Sequence, residues 1–285
     1  MRIVRTAPAK INLALPVGGQ RPDGYHLLDT LVTFAPFGDE ITVGEAEDMR
    51  LEVHGLYGET LKGDPDGNLV FRAARLLAEE AERRGRGPVG ASIRLDKHLP
   101  IASGVGGGSA DAAATLLALN DLWALDLAPQ RLAELGLSLG ADVPMCLAGV
   151  PARVRGIGEH VAQGPTMPDH GLLLVNPQVP VSTPAVFRGL TRRDHPPMPD
   201  LPDVWDGVDH LVDWLNGTRN DLQPPAEAIA AEVVEVMDIL RQLPGSRFAR
   251  MSGSGATCFA IFDTDSAAAA AGQLLKATRL EWWVG

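Results

Sequence analysis

Residues 99–113 constrain this chain more than any other stretch. They read Leu-Pro-Ile-Ala-Ser-Gly-Val-Gly-Gly-Gly-Ser-Ala-Asp-Ala-Ala, with four glycines among the five positions 104–108. A backbone of this kind reaches positive φ and lets a ligand come close. Residues 109–123 then read as a helix, with Ala112, Leu116, Leu119 and Trp123 at the spacing of one face. A glycine turn feeding a helix presents N–H groups without intrahelical partners and the positive end of a dipole, which suits an anion. The pattern points to a phosphate cradle; the plainer alternative is a flexible turn before a core helix. It is not a Walker loop, because no Gly-Lys-Ser/Thr closes it. It is a poor dinucleotide fingerprint as well, since Ser109 stands where a third glycine or alanine is required and no acidic residue ends a following strand.

Charge bears on how such a cradle works. With 25 basic against 36 acidic residues the formal net charge is −11. That balance argues against nucleic-acid or anionic-membrane partners. A polyphosphate has to be held by local N–H groups and a few placed cations. Cys146 and Cys258 are the two cysteines, in apolar surroundings and outside any CxxC pattern, and read as buried reduced thiols. Pro8 and Lys10 interrupt the apolar residues near the start, and no run reaches membrane-span length. A cytoplasmic protein is the expectation.

The periodicity predicts an α+β chain. Residues 1–15 read as a strand in which Lys10 and Asn12 share one face while Ile11 and Leu13 point to the core. Arg21-Pro22-Asp23-Gly24 is a turn, followed by Tyr25 and His26. Strands are predicted at 31–37, 40–43, 51–54 and 91–95, and a turn at 63–67. Asn68 is placed as the cap of a helix to 84, with Val70, Ala73, Ala74, Leu77 and Ala81 on its buried face. A further helix spans 130–139. Asp142 follows at a turn or helix end, where bonding to its own backbone is the common outcome. Short strands are expected at 152–155 and 158–161, and a domain boundary near 160 divides the chain into 1–160 and 161–285. Beyond it come an apolar strand at 171–175, an extended segment turning helical after Pro184, and one helix over 223–243. Strands at 248–251 and 257–262, a helix capped by Ser266 and a last strand at 280–284 complete a ferredoxin-like order.

Three pieces stand together: Pro8-Ala9-Lys10-Ile11-Asn12, the glycine stretch, and a second glycine turn, Met251-Ser252-Gly253-Ser254-Gly255-Ala256. This trio resembles the GHMP small-molecule kinases. Arg21-Pro22-Asp23-Gly24-Tyr25-His26, Gly140-Ala141-Asp142-Val143-Pro144 and Asn220-Asp221-Leu222 narrow the likeness. They are similar to the members that phosphorylate a cytidine diphosphate of methylerythritol on the route to isoprenoids. The other branches, acting on mevalonate- or homoserine-type substrates, are the alternative. The likeness covers nearly the whole chain, and Arg-Pro-Asp-Gly-Tyr-His is its most specific part.

The resemblance implies a GHMP kinase fold, with an N-terminal α/β domain containing a left-handed βαβ crossover and a C-terminal ferredoxin-like domain. It implies ATP and Mg²⁺, transfer of the γ-phosphoryl to the 2-hydroxyl, and a monomer or weak homodimer. Asp142 would accept the hydroxyl proton, and Lys10 would stabilise charge on the acceptor and the transferred group. Pro100, Ile101, Ala102, Ser103, Gly104, Val105, Gly106, Gly107, Gly108, Ser109 and Ala110 would wrap the phosphates. Asn68, Leu69 and Lys97 would line the adenine. Tyr25 would stack on cytosine, His26 would bond its polar edge, and Phe187 would close the other face, with Asn12 and Thr183 nearby. No aspartate or glutamate stands out as a dedicated metal ligand, so Mg²⁺ is expected on phosphates and water. Ser103 and Gln223 depart from the family pattern, which usually has alanine or glycine and glutamate there.

Overall fold

A computed structural model describes residues 1–61 and 67–285; the turn expected at 63–67 lies, apart from Gly67, outside the described residues. In chain order the first elements are β1 (Arg2–Ala14), β2 (Val17–Gln20), β3 (His26–Ala46), β4 (Met49–His54), α1 (Leu69–Arg83), β5 (Gly90–Asp96), α2 (Gly107–Leu122), α3 (Pro129–Leu139) and α4 (Val143–Ala148). There follow β6 (Ala152–Gly156), β7 (His160–Gln163), β8 (Gly171–Asn176), α5 (Thr183–Arg188), α6 (Val208–Asn216), α7 (Gln223–Ile229), α8 (Ala231–Gln242), β9 (Phe248–Met251), β10 (Cys258–Phe262), α9 (Asp265–Thr278) and β11 (Trp283–Val284). The two strands expected at 31–37 and 40–43 are one long strand, β3.

The chain forms two compact units, neither of them continuous. Unit 1 comprises Met1–Lys10, Ala35–Ile101 and Gly106–Gly149; unit 2 comprises Ile11–Phe34, Ala102–Val105 and Val150–Gly285. A single boundary near 160 does not describe this division, because β1 and β3 each supply residues to both units.

Unit 1 contains the crossover β4–α1–β5. β4 and β5 pair in parallel, and residues 40–46 of β3 run antiparallel to β5. Asn68 caps α1 by accepting the Val70 N–H at 2.9 Å. Val70, Ala73, Ala74, Leu77 and Ala81 are buried, as their spacing predicts. α2 departs from the one-face reading. It is apolar all round and sits among α1, α3 and α4, so residues 110–116 are buried without a gap.

Unit 2 contains a four-stranded antiparallel sheet in the order β11-β8-β10-β9. With the intervening helices this is the ferredoxin-like arrangement. Its core joins Leu173 and Val175 of β8, Ala260 and Phe262 of β10, Val233, Val236 and Leu240 of α8, and Leu275 of α9. Three local expectations change. The helix over 223–243 is two helices, broken where Ala230 turns extended at φ −134°. Nothing in the local sequence marks that break; Ala230 is buried, and the chain bends there to pack. α6 is a helix that the periodicity reading left out, with Leu211, Val212 and Leu215 inward. Thr264, not Ser266, caps α9 by accepting the Ala267 N–H.

Candidate active site

The glycine stretch of unit 1 becomes a helix start. α2 begins at Gly107, two residues earlier than expected, so the glycines form its first turn. Gly106 is the N-cap, in the left-handed region at φ 64°. A Cβ there would stand 3.0 Å from the Lys10 Cε and 3.8 Å from the Asp142 Oδ2, so a side chain would be strained by backbone and by space alike. Gly107, Gly108 and Ser109 thus carry the N–H groups that a helix cannot satisfy internally, while the Ala110 N–H already bonds the Gly106 carbonyl.

Lys10 and Asp142 meet beside that turn. The Lys10 Nζ lies 3.1 Å from the Asp142 Oδ2. The lysine side chain is 6% exposed and the aspartate 39%, so the ammonium is held inside and the carboxylate faces outward. Asp142 is the N-cap residue of α4, yet its side chain makes no capping bond. The common turn role is therefore not the one it plays. Both faces of β1 are buried here: residues 9–15, Lys10 and Asn12 among them, are shielded from solvent.

The side chain of Lys97, named for an adenine pocket, sits in a pair of buried ion pairs. Its ammonium is 3% exposed and committed to Asp39 Oδ2 at 2.5 Å and Asp111 Oδ2 at 2.6 Å. Asp39 also accepts the His98 and Leu99 N–H groups at 2.6 and 2.8 Å. The Lys97 side chain thus braces the underside of α2, where a Cβ on Gly107 would be 3.0 Å from its Nζ. Asn68 spends its Oδ1 on the cap of α1, and Leu69 is the first residue of that helix, half-buried. Pro100 is buried and Ile101 exposed.

Unit 2 holds the rest of the predicted residues. Ala102 takes a positive φ of 51° and is exposed, while Ser103 and Val105 are buried. The Ser103 carbonyl accepts the Thr257 N–H at 3.1 Å, and the Gly104 carbonyl accepts the Ser252 hydroxyl at 3.1 Å. The Asn12 N–H donates to the Ser252 Oγ at 3.0 Å, and the Asn12 amide donates to the Thr30 Oγ1 at 2.9 Å. Thr30 in turn donates to the Ala14 carbonyl at 2.6 Å, which fixes the amide. Thr183 and Ser254 share a hydrogen bond of 2.7 Å. Asn220 supports the second glycine turn, donating from Nδ2 to the Met251 and Gly253 carbonyls at 2.8 and 2.9 Å. Its part in the Asn-Asp-Leu motif is therefore mechanical.

Two of the rings named from the resemblance meet in unit 2. Phe187 stacks on His26, with ring centroids 4.7 Å apart at 27°, and Tyr25 is 60% exposed. Burial, and then the Arg193 charge, hold the His26 imidazole below the usual histidine range. Its Nε2 is buried and has no partner among the described residues.

Sequence reasoning missed Thr30, Asp39 and Asp111. Each is a polar residue made significant by a distant partner, and only Asp111, inside the glycine stretch, carried a local signal.

The family model for the GHMP kinases N terminal domain matches residues 68–150, and that for the GHMP kinases C terminal domain matches residues 205–278. The 4-diphosphocytidyl-2-C-methyl-D-erythritol kinase of Ruegeria pomeroyi is 50% identical, over 99% of this chain and 98% of its own. The enzyme of that name from Cereibacter sphaeroides is 51% identical, over 98% of this chain and 96% of its own. The chain belongs to this kinase family within the GHMP kinases. A crystal structure of a 4-(cytidine 5'-diphospho)-2C-methyl-D-erythritol kinase matches with a TM-score of 0.78 at 36% identity, covering 99% of this chain and 98% of that one. Homoserine kinase from Cytophaga hutchinsonii matches with a TM-score of 0.70 at 20% identity, covering 100% and 93%, which concerns the fold alone. GHMP membership makes the chain a small-molecule kinase. Among the described residues no helix is long and apolar enough to cross a membrane, and both cysteines are buried and unbridged.

Proposed function

We propose that this protein transfers the γ-phosphoryl group of ATP to the 2-hydroxyl of 4-diphosphocytidyl-2-C-methyl-D-erythritol. The Lys10–Asp142 pair, 3.1 Å apart beside the glycine start of α2, is the observation that carries the reading. Phosphoryl transfer asks a protein chiefly for positioning and charge neutralisation. The N–H groups of Gly107, Gly108 and Ser109 hold phosphate oxygens, and the Lys10 ammonium faces the charge that spreads over the transferred group. Asp142 presents a carboxylate to the hydroxyl proton. Mg²⁺, carried by the phosphates, would neutralise part of their charge.

His26 supports a pyrimidine as the recognised group. Its imidazole is held below the usual histidine range and its Nε2 lacks a partner among the described residues, so it offers one polar contact to a base edge beside the Phe187 ring. Tyr25, exposed next to it, supplies a stacking face. A mevalonate- or homoserine-type acceptor has no use for these rings.

The test is ADP release with the cytidine substrate, run beside Asp142→Asn. Substrate-dependent ADP formation that the variant loses supports the reading. Equal or faster turnover on mevalonate or homoserine moves the protein to another branch of the family. No ADP from folded protein with any of the three removes the reading.

A further inference from the structure

The Asp39–Lys97–Asp111 cluster has one cation for two carboxylates, and all three side chains are buried, at 0%, 3% and 3% residue exposure. The carboxylates are not equivalent. Asp39 accepts two backbone N–H groups and the ammonium. Asp111 accepts only the ammonium, through Oδ2. Its Oδ1 is buried with no hydrogen-bond partner among the described residues. An ionised carboxylate left in that state is costly, whereas a protonated one gives up much less.

The position of the pair matters as much as its charge. Asp111 is the fifth residue of α2, one turn in from the N–H groups of 107–109. Lys97 Nζ would be 3.0 Å from a Cβ on Gly107, so the cluster lies directly under the first turn. Every further negative charge at that turn makes an ionised Asp111 less favourable.

We propose that Asp111 couples nucleotide binding to proton uptake: its carboxyl is protonated when phosphates occupy the start of α2, and it releases the proton to solvent as they leave. This rests on the assignment of the glycine turn to nucleotide phosphates. Burial, opposed by Lys97 and reinforced by the Asp39 charge, pushes the Asp111 carboxyl up to about 8. Unliganded protein would then exchange this proton within a pH range where proteins are ordinarily assayed.

The other groups facing Asp111 do not supply the proton. Lys97 is held above the usual lysine range by its two carboxylates, against the effect of burial. Cys146 on α4 is pushed up by burial, with Asp142 and Asp111 adding to the effect, and stays a neutral thiol. On α1 and α3, the buried Glu80 pairs with Arg83, Arg84 and Arg131. Lys10 and Asp142 lie on the Gly106 side of the turn and pair with each other.

Linkage sets the sign. A ligand that prefers the protonated form raises the carboxyl's pKa on binding, and its own affinity falls as pH rises above the unliganded value. MgATP, with no acceptor present, would be titrated calorimetrically into native protein and Asp111→Asn at pH 7.5 and 9.5. The triphosphate itself is fully ionised across this range. Native affinity is expected to fall about tenfold between the two values, a proton's worth of coupling spread over the transition. Asp111→Asn, neutral at both, is expected to change by less than about twofold, the scatter of such a comparison. Repeating the native titration at pH 8 in two buffers of different ionisation enthalpy reads the proton uptake directly and needs no variant.

Net uptake with a pH-flat variant supports the proposal. Native binding that is equally tight at both pH values, or without net uptake at pH 8, overturns it and leaves the nucleotide assignment standing. A variant that keeps the native pH dependence assigns the proton to another group and also overturns it. Failure of both folded proteins to bind MgATP at either pH overturns the nucleotide assignment and this proposal with it.

Discussion

The candidate site residues of the two units differ in chemistry, although unit 2 buries ion pairs elsewhere, Asp29 with Arg153 and Asp221 with Arg219. In unit 1 they are charges. Lys10 faces Asp142, Lys97 is shared by Asp39 and Asp111, and Glu80 collects three arginines. In unit 2 the candidate residues are rings, hydroxyls and amides: His26 on Phe187, Asn12 on Thr30 and Ser252, Thr183 on Ser254. Even the buried Arg250 of unit 2 has no carboxylate partner among the described residues. It donates to the carbonyls of Leu13, Leu215 and Thr218 and to the Thr218 hydroxyl. Charges respond to other charges and to pH, whereas neutral networks respond to shape and to the match of donors with acceptors. On our reading, unit 1 handles the phosphoryl group and unit 2 tells one acceptor from another.

The contrast can be broken most forcefully at Asp142. Asp142→Asn removes the charge with little change in shape, and kcat is expected to fall about 10³-fold while the melting temperature stays within a few degrees. Steady-state ADP release checks this. An equal fall in an unfolding midpoint would make the pair a structural feature instead.

Arg250→Met tests the neutral side. Four acceptors lose their donor, and unfolding free energy is expected to drop by about 3 kcal/mol in urea titration. A milder loss would mean that water enters and replaces the guanidinium. Phe187→Ala comes next. Loss of a stacking face is worth about 1–3 kcal/mol, so KM for the cytidine substrate is expected to rise between about fivefold and about 160-fold with KM for ATP unchanged. A parallel rise in both constants would erase the distinction between the units.

The smallest effect concerns acid stability. Hydrogen bonds from Arg131, opposed by burial and reinforced by Arg84 and Arg83, hold the buried Glu80 carboxyl down to about 2. A depressed folded-state value means stability that is complete above the unfolded value of about 4.3 and is lost as pH falls toward 2. In Glu80→Gln this part of the acid dependence should vanish, as read by urea midpoints between pH 5 and 2.5. If the slope there is unchanged, other carboxylates set it, Asp29 beside Arg153 among them.

Much of this was legible in the chain. Short-range rules place α1 and its cap at Asn68, the glycine turn, and the ferredoxin-like order of strands, because caps, turns and periodicity act over a few residues. Lys10 and Asp142 were named from a resemblance; no spacing rule joins residues that far apart. The break at Ala230 was not legible, since alanine is the best helix former and only packing overrides it. Nor was the His26–Phe187 stack, because a strand reading gives alternation but not which of two neighbours faces a distant ring.

By itself the sequence determined where the backbone could bend, where helices are capped and where a helix start leaves N–H groups unpaired, for those are properties of local covalent geometry. The tertiary structure alone decided which charges meet. Lys97 was named for an adenine pocket from a resemblance, and no local rule announced that its ammonium is the buried partner of Asp39 and Asp111. The reason is that an ion's role depends on the distance to its counter-ion and on the solvent excluded between them, and both arise only when remote segments pack.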